Sequence, residues 1–476
     1  MLPELPQRKI LVISDRYPPN AQGGAELSLH LMLSASDRKA DLLVVTFNEK
    51  AETGKLYQID GIDVLELPSQ APWPLHRISF AAYRKIREGK WAWWRFIRLA
   101  WLTAIYMFLA WPLSRIQARS LAFDVQFVRK GDVRRIIDFD EQRTGFCRRM
   151  IHEVVRRVRP RLIHADNHRS ILAVHDIPRR GLSIIGVVRD NRFHCARPDQ
   201  SMMIGNRMCG LCDIECSEGI GKVPESRRIL MRRTRLYRQD ALRTMNRIVV
   251  TSQFLHNQIA QFINQAKLQR VSNGVDRLQM VLRSVSGVAE RPGINILVVG
   301  MLNDSKGQEE LVRHLPTLLE KVPDVTLHIA GRGEDTARKI EQLAKDLDIS
   351  DRIVMHGYLG RAALFELYAS VQIVALPTIW PEPFGRVPLE AGLARRPVVA
   401  YRIGGLAETI VNDKTGILVP HLNMRAFINA LIELANDPRR RRKLGAAAAE
   451  HVLAQYDSTR LTKELLALWD EELSKV

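Results

Sequence analysis

Twelve short β-branched runs, set apart by longer helix-patterned stretches, constrain this chain more than any other feature. In the first half they lie at 9–14, 41–47, 63–67, 161–165, 183–188 and 247–252. In the second half they lie at 295–299, 325–330, 352–355, 372–376, 397–400 and 416–419. Their hydrophobicity is continuous rather than alternating, the pattern of parallel strands buried on both faces beneath helices. Two successive sets of six predict an α/β chain of two doubly wound, Rossmann-like domains. A chain of 476 residues is also longer than one core ordinarily serves. Between 276 and 293 the period is lost, with Ser284, Gly287 and Pro292 on the way. The expected division is therefore an N-terminal domain over 1–285, a C-terminal domain over 286–456 and an amphipathic helix over 457–476, which could cross back.

Charge and cysteine usage narrow the classes. With 71 Lys+Arg against 52 Asp+Glu the formal charge is +19, which favours an anionic partner. The basic runs at 148–161, 227–247 and 439–443 carry a single aromatic, Tyr237, and no recognised binding module, so nucleic acid is not the expected partner. Five cysteines are too few for a disulfide scaffold, and the first 18 residues lack a secretory pattern, so the expectation is a cytoplasmic protein.

One stretch departs from the alternation. Between 77 and 119 lie nine basic residues, one acidic residue (Glu88) and five of the eight tryptophans. Its uncharged core, 99–114, is sixteen residues long, short for a helix that spans a bilayer. Two readings fit equally: a segment lying in the headgroup region of an anionic membrane, or a helical hairpin buried against its own domain.

The strongest chemical signal is Pro381-Glu382-Pro383-Phe384-Gly385-Arg386-Val387-Pro388-Leu389-Glu390, directly after the run at 372–376. Two carboxylates eight positions apart, one on a loop and one in the following helix, can both face a ligand at a strand's C-terminal end. This element resembles the Glu-x7-Glu motif of glycosyltransferase family 4, retaining enzymes of GT-B architecture. The likeness continues through Arg396–Ala400, Gly404–Ile410 and 415–419, and further back through Asn273-Gly274-Val275-Asp276, Lys306-Gly307 and Gly331-Arg332-Gly333. It is dense in the second half and thin in the first.

The resemblance implies transfer of a sugar from a UDP- or GDP-sugar to a saccharide or lipid-linked acceptor, as in cell-surface polysaccharide or glycolipid synthesis. It implies no metal or other cofactor for catalysis. By position, Glu382 would hold the sugar's hydroxyls and Glu390 the ribose, while the amides of Phe384 and Gly385 complete the sugar pocket. Lys306 would neutralise the leaving diphosphate. Gly23 and Gly24, after the first strand, resemble the family's loop over the phosphates, where paired glycines admit close backbone approach. Met301 stands where the family commonly has an arginine, which leaves Arg332 or Arg386 to supply that charge. Asp166-Asn167-His168 and Arg189-Asp190 also depart from the family's histidine positions. A sugar-nucleotide epimerase of the same fold, or a nucleotide-sugar-binding protein without turnover, would carry much the same motifs.

Cys195, Cys209, Cys212 and Cys216 gather within 22 residues. Their spacing could hold a structural zinc tetrahedrally, or an iron–sulfur cluster, and this clustering favours a structural metal over the alternative of reduced thiols packed in the fold.

Overall fold

A computed structural model describes residues 2–20, 24–69, 133–195, 202–204, 207–208, 225–276 and 290–476, with the backbone alone for 25, 133–144, 203–204, 207–208 and 225–230. The first half builds on β1 (Ile10–Ser14), β2 (Leu42–Asn48), β3 (Lys55–Ile59), β4 (Ile62–Pro68), β5 (Leu162–Asp166) and β6 (Ser183–Val188). After a separate two-strand pair, β7 (Met203–Ile204) with β8 (Arg207–Met208), come β9 (Arg247–Val250) and β10 (Leu268–Arg270). Eight of these strands form one sheet in the order β10-β9-β6-β5-β1-β2-β4-β3. The second half forms a sheet of six, β11 (Ile294–Val299), β12 (Val325–Ala330), β13 (Ile353–Gly357), β14 (Ile373–Leu376), β15 (Val398–Tyr401) and β16 (Gly416–Val419), in the order β13-β12-β11-β14-β15-β16.

All pairs in the second sheet are parallel, as the continuous apolar runs require. The first sheet has two more strands than the six expected. β3 pairs antiparallel with β4 through Asp60 and Gly61, both at positive φ (50° and 79°), as a two-residue hairpin turn demands. Because β3 is a mostly exposed edge strand, it lacks a continuous apolar run. β10 is three residues long with only Leu268 buried, too short to register as a run.

Side-chain alternation along β1 divides the first core. Leu11 and Ile13 join one buried cluster, Ile10 and Val12 the other. The second cluster is closed by the last helix, Ser458–Leu473, through Leu461, Leu465, Leu468 and Trp469. That helix crosses back from the second half. Asp457 caps it by accepting from the Thr459 and Arg460 amides at 2.9 and 3.2 Å. Trp469 is wholly buried and donates to His164 Nδ1 at 3.3 Å. Glu472, also buried, accepts from Ser183 Oγ at 2.7 Å and Arg247 Nε at 3.1 Å. At the crossing the chain pairs with itself, Val275 N donating to Tyr456 O at 2.9 Å and Ser458 N to Val275 O at 3.1 Å.

No helix among the described residues is long and apolar enough to cross a membrane. The Trp- and Arg-rich stretch 77–119 lies outside the described residues, as does most of the expected domain junction at 285.

Candidate active site

In the second sheet β11 sits between β12 and β14, so the chain winds one way to β13 and then returns past β11 to β16. Loops leaving β11 and β14 diverge where the order reverses, the position at which open parallel sheets bind ligands. The loop after β11 carries Lys306 at the end of a tight turn, Asp304–Lys306, capped by Asn303. The loop after β14 carries Glu382. Ile379 N and Thr378 Oγ1 both donate to Ser305 O, at 3.0 and 3.2 Å, and lock the two loops together. Gly307 (φ 70°) packs where any Cβ would strike Pro377 O. The result is a direct ion pair between Lys306 and Glu382, each about one-fifth exposed. The Lys306 ammonium also lies 4.9 Å from the centre of the Trp380 ring.

Behind Glu382, the loop after β15 donates from Gly405 N to Glu382 O at 2.7 Å, and a Cβ at Gly405 would collide with the Phe384 backbone. Phe384 is buried edge-on to Tyr456, and Gly385 takes a positive φ of 90°. The helix that follows runs from Val387 to Leu393, with Arg386 at its cap. Glu390 lies in its first turn. One carboxylate oxygen accepts from Arg386 Nε at 3.2 Å and the other from the Tyr368 hydroxyl at 3.2 Å. Burial, with Glu390 beside it, raises the Tyr368 hydroxyl well above its ordinary pKa and keeps it a donor.

The first half presents the carboxyl ends of β6 and β9 to this loop. Asn191 Nδ2 donates to Pro381 O at 3.0 Å, and Ser252 Oγ donates to Pro383 O. Glu408 accepts from the Gln253 and Phe254 amides at 2.7 and 2.6 Å, capping a helix of the other half. Behind Asn191, Asp166 is fully buried and accepts from Arg189 Nε at 2.6 Å. Burial opposes its charge, yet Arg189 and His164 hold it below the usual carboxylate range. His168, pushed down to about 4 by burial, stands 3.5 Å from Asp190 as a neutral imidazole.

A cleft of about 280 Å³ opens at the ends of β1 and β2, lined by Asp15, Arg16, Asn20, Asn48, Lys50 and Arg169 among others. Burial raises the Asp15 carboxyl from 3.8 to about 7, against the pull of Arg169. The folded chain therefore keeps a proton on Asp15 that the unfolded chain gives up, and stability falls as pH rises from about 4 to about 7. Asp15→Asn should abolish that loss. Thermal melts should show the variant gaining on the parent at pH 8 and matching it at pH 3.5; equal gains at both would contradict the assignment.

Of the sites expected from sequence, Lys306 meets Glu382, while Glu390 is held by Arg386 and Tyr368. Phe384 and Gly385 form the loop between them. Arg332 stacks on the Tyr358 ring, 3.9 Å from its centre. Gly24 opens the helix Gly24–Ser34, against Arg386, and Met301 is exposed. Gly23 lies outside the described residues, as do Cys209, Cys212 and Cys216; Cys195 is buried. Among the described residues no group of three or more His, Cys, Asp or Glu could hold a metal ion. The sequence reading missed Tyr368, Asn191, Ser252 and the cleft around Asp15. Only Asp15, a charged residue directly after a buried strand, carried a local signal.

This architecture, a mostly parallel sheet facing a wholly parallel one with loops converging from their carboxyl ends, is that of the GT-B glycosyltransferases. HepE of Anabaena, in complex with UDP and glucose, superposes with a TM-score of 0.62 at 17% identity, over 97% of this chain and 99% of that one. Sucrose-phosphate synthase of Thermosynechococcus elongatus gives 0.65 at 15% identity, over 98% and 100%. Residues 286–451 match the family described as Glycosyl transferases group 1, so the second half carries a domain of that group. Among named relatives, the D-inositol 3-phosphate glycosyltransferase of Corynebacterium urealyticum is 30% identical over 210 residues, 43% of this chain and 49% of its own. The GDP-mannose-dependent alpha-(1-6)-phosphatidylinositol monomannoside mannosyltransferase of Mycolicibacterium smegmatis is 29% identical over 221 residues, 43% and 57%. The chain thus spans about half the length of the relatives it matches.

Proposed function

We propose that the protein is a retaining glycosyltransferase that moves a sugar from a nucleoside-diphosphate sugar to a saccharide or lipid-linked acceptor. The observation that carries this reading is the meeting of Lys306 and Glu382 at the reversal point of the second sheet, inside the matched group 1 domain. Lys306 faces the diphosphate and stabilises the charge that grows on it as the glycosidic bond breaks. Glu382 accepts hydrogen bonds from the sugar's hydroxyls. Glu390, fixed by Arg386 and Tyr368, keeps further lone pairs for the vicinal hydroxyls of a ribose.

The acceptor enters from the first half, at the cleft beside Asp15 and Arg169. Its oxygen bonds to the sugar carbon on the face the diphosphate leaves, and its proton passes to the departing phosphate oxygen. Retention follows without a covalent intermediate. Carriage of the acceptor on a lipid would give the stretch 77–119 a purpose at an anionic membrane face, in polysaccharide or glycolipid assembly.

The test is a panel of UDP- and GDP-sugars read by melting temperature. A ligand that binds only the folded chain adds about 2.7 kcal/mol at a hundredfold excess over its Kd. One base should raise the midpoint clearly, and Glu382→Ala should blunt the gain from the nucleotide sugar more than that from the bare nucleotide. No stabilisation by any member of the panel would sink the proposal. Turnover of the donor to an isomer without an acceptor would point to an epimerase instead.

A further inference from the structure

Arg386 is the side chain through which Glu390 touches the other half of the molecule. Its Nε donates to Glu390, one helical turn away. Its Nη1 donates to Ser28 Oγ and, at 3.2 Å, to Gly274 O, both in the first half. The guanidinium is only about one-tenth exposed, and it passes so close to Gly24 that a Cβ there would overlap its Cδ. Ser28 is fixed in turn by donating to Gly24 O at 2.8 Å, within the first turns of its helix. Gly274 adjoins the seam where the chain pairs with itself, packed against Ser458. One planar cation therefore joins the carboxylate of the second half to a helix start and a crossing strand of the first. Arginine suits this role because its fork donates along two directions at once; lysine offers a single point charge.

We infer that Arg386 is a positioning residue that couples nucleotide occupancy at Glu390 to docking of the first half against the second. The inference rests on the proposed role of Glu390 as the ribose carboxylate. A ribose that bonds to Glu390 fixes the carboxylate, the carboxylate fixes Arg386, and Arg386 presents its outer edge to Ser28 and Gly274. By reciprocity, docking of the first half holds Arg386 and tightens nucleotide binding by the same factor. The bare glycine at Gly24 keeps the passage open for the arginine stem.

The experiment uses the full chain and bare UDP and GDP as probes, with affinity read by calorimetry and compaction by small-angle scattering. The parent should bind one nucleotide and contract. Arg386→Gln should bind it about tenfold more weakly and fail to contract. Ser28→Ala, which leaves the Arg386–Glu390 pair intact, should keep affinity within a few-fold and lose most of the contraction. Arg386→Lys should restore part of the affinity but not the contraction, a split that a merely structural role would not produce. Contraction of Arg386→Gln equal to the parent's, or none in a parent that binds nucleotide, overturns the coupling and leaves the site intact. A parent that binds neither nucleotide overturns the reading of the site, and the coupling with it.

Discussion

Lys306→Ala should lower kcat for sugar transfer by about 10²–10³-fold, with a much smaller change in KM for the donor. The lysine is rigidly offered: its turn is capped by Asn303 and bolted to the Glu382 loop through Ser305. On the proposed mechanism Lys306 is already in place where the diphosphate leaves and does most of its work in the transition state, so its loss falls on kcat rather than on binding. Glu382→Ala should cost a similar factor. Because the two side chains pair directly, the double variant should be far less impaired than the product of the single losses. Initial-rate kinetics on the three variants decide the matter. The pair is partly exposed, so its loss should cost the fold only about 1 kcal/mol or less. Melting temperatures near the parent's would show that the kinetic loss is chemical. Rates within a few-fold of the parent would remove the basis of the proposed mechanism.

The largest effect on stability should come from Trp469→Ala. This side chain is wholly buried under the first sheet, and it belongs to a helix whose sequence neighbours are in the second half. Truncating a buried aromatic costs about 3–5 kcal/mol. The variant also takes the donor from His164 Nδ1, a buried imidazole whose charge burial already disfavours. The loss should appear in the transition of the first half, as a lower denaturant midpoint with part of the second half's signal unmoved. A single unshifted transition would show that the helix contributes little where it lies.

Much of this was open to reading from the chain alone, and the rest was withheld for reasons that differ by residue. The second sheet was legible because all its strands but the half-exposed edge strand β13 are buried on both faces and so announce themselves as unbroken apolar runs. β3 faces solvent and shows no such run; its signature was the Asp60-Gly61 turn, which hydrophobicity does not register. The last helix was legible as amphipathic, since its apolar stripe is fixed by period. What covers that stripe is not, because periodicity states that a face must be buried and not against which partner. The Glu382 and Glu390 positions stood out by spacing on one loop and helix. Arg386 could be named only as a spare cation, since its partners Ser28 and Gly274 lie 358 and 112 positions away. Tyr368 is one buried aromatic among many until its hydroxyl is seen on Glu390.

The paired crossings at Val275 and Tyr456–Ser458 have a practical consequence for anyone who wishes to watch this molecule at work. Both passages of the chain lie side by side and are hydrogen-bonded, so any rotation of one half against the other would turn about them, as two leaves turn about one pin. The tail beyond the pin is fastened to the opposite leaf, its last helix lying under β1 and β5. A fluorophore at Lys475 therefore rides with the first half, and a partner dye at Lys39 would stay at constant distance from it. Paired instead with a dye at Lys339, it would report every swing.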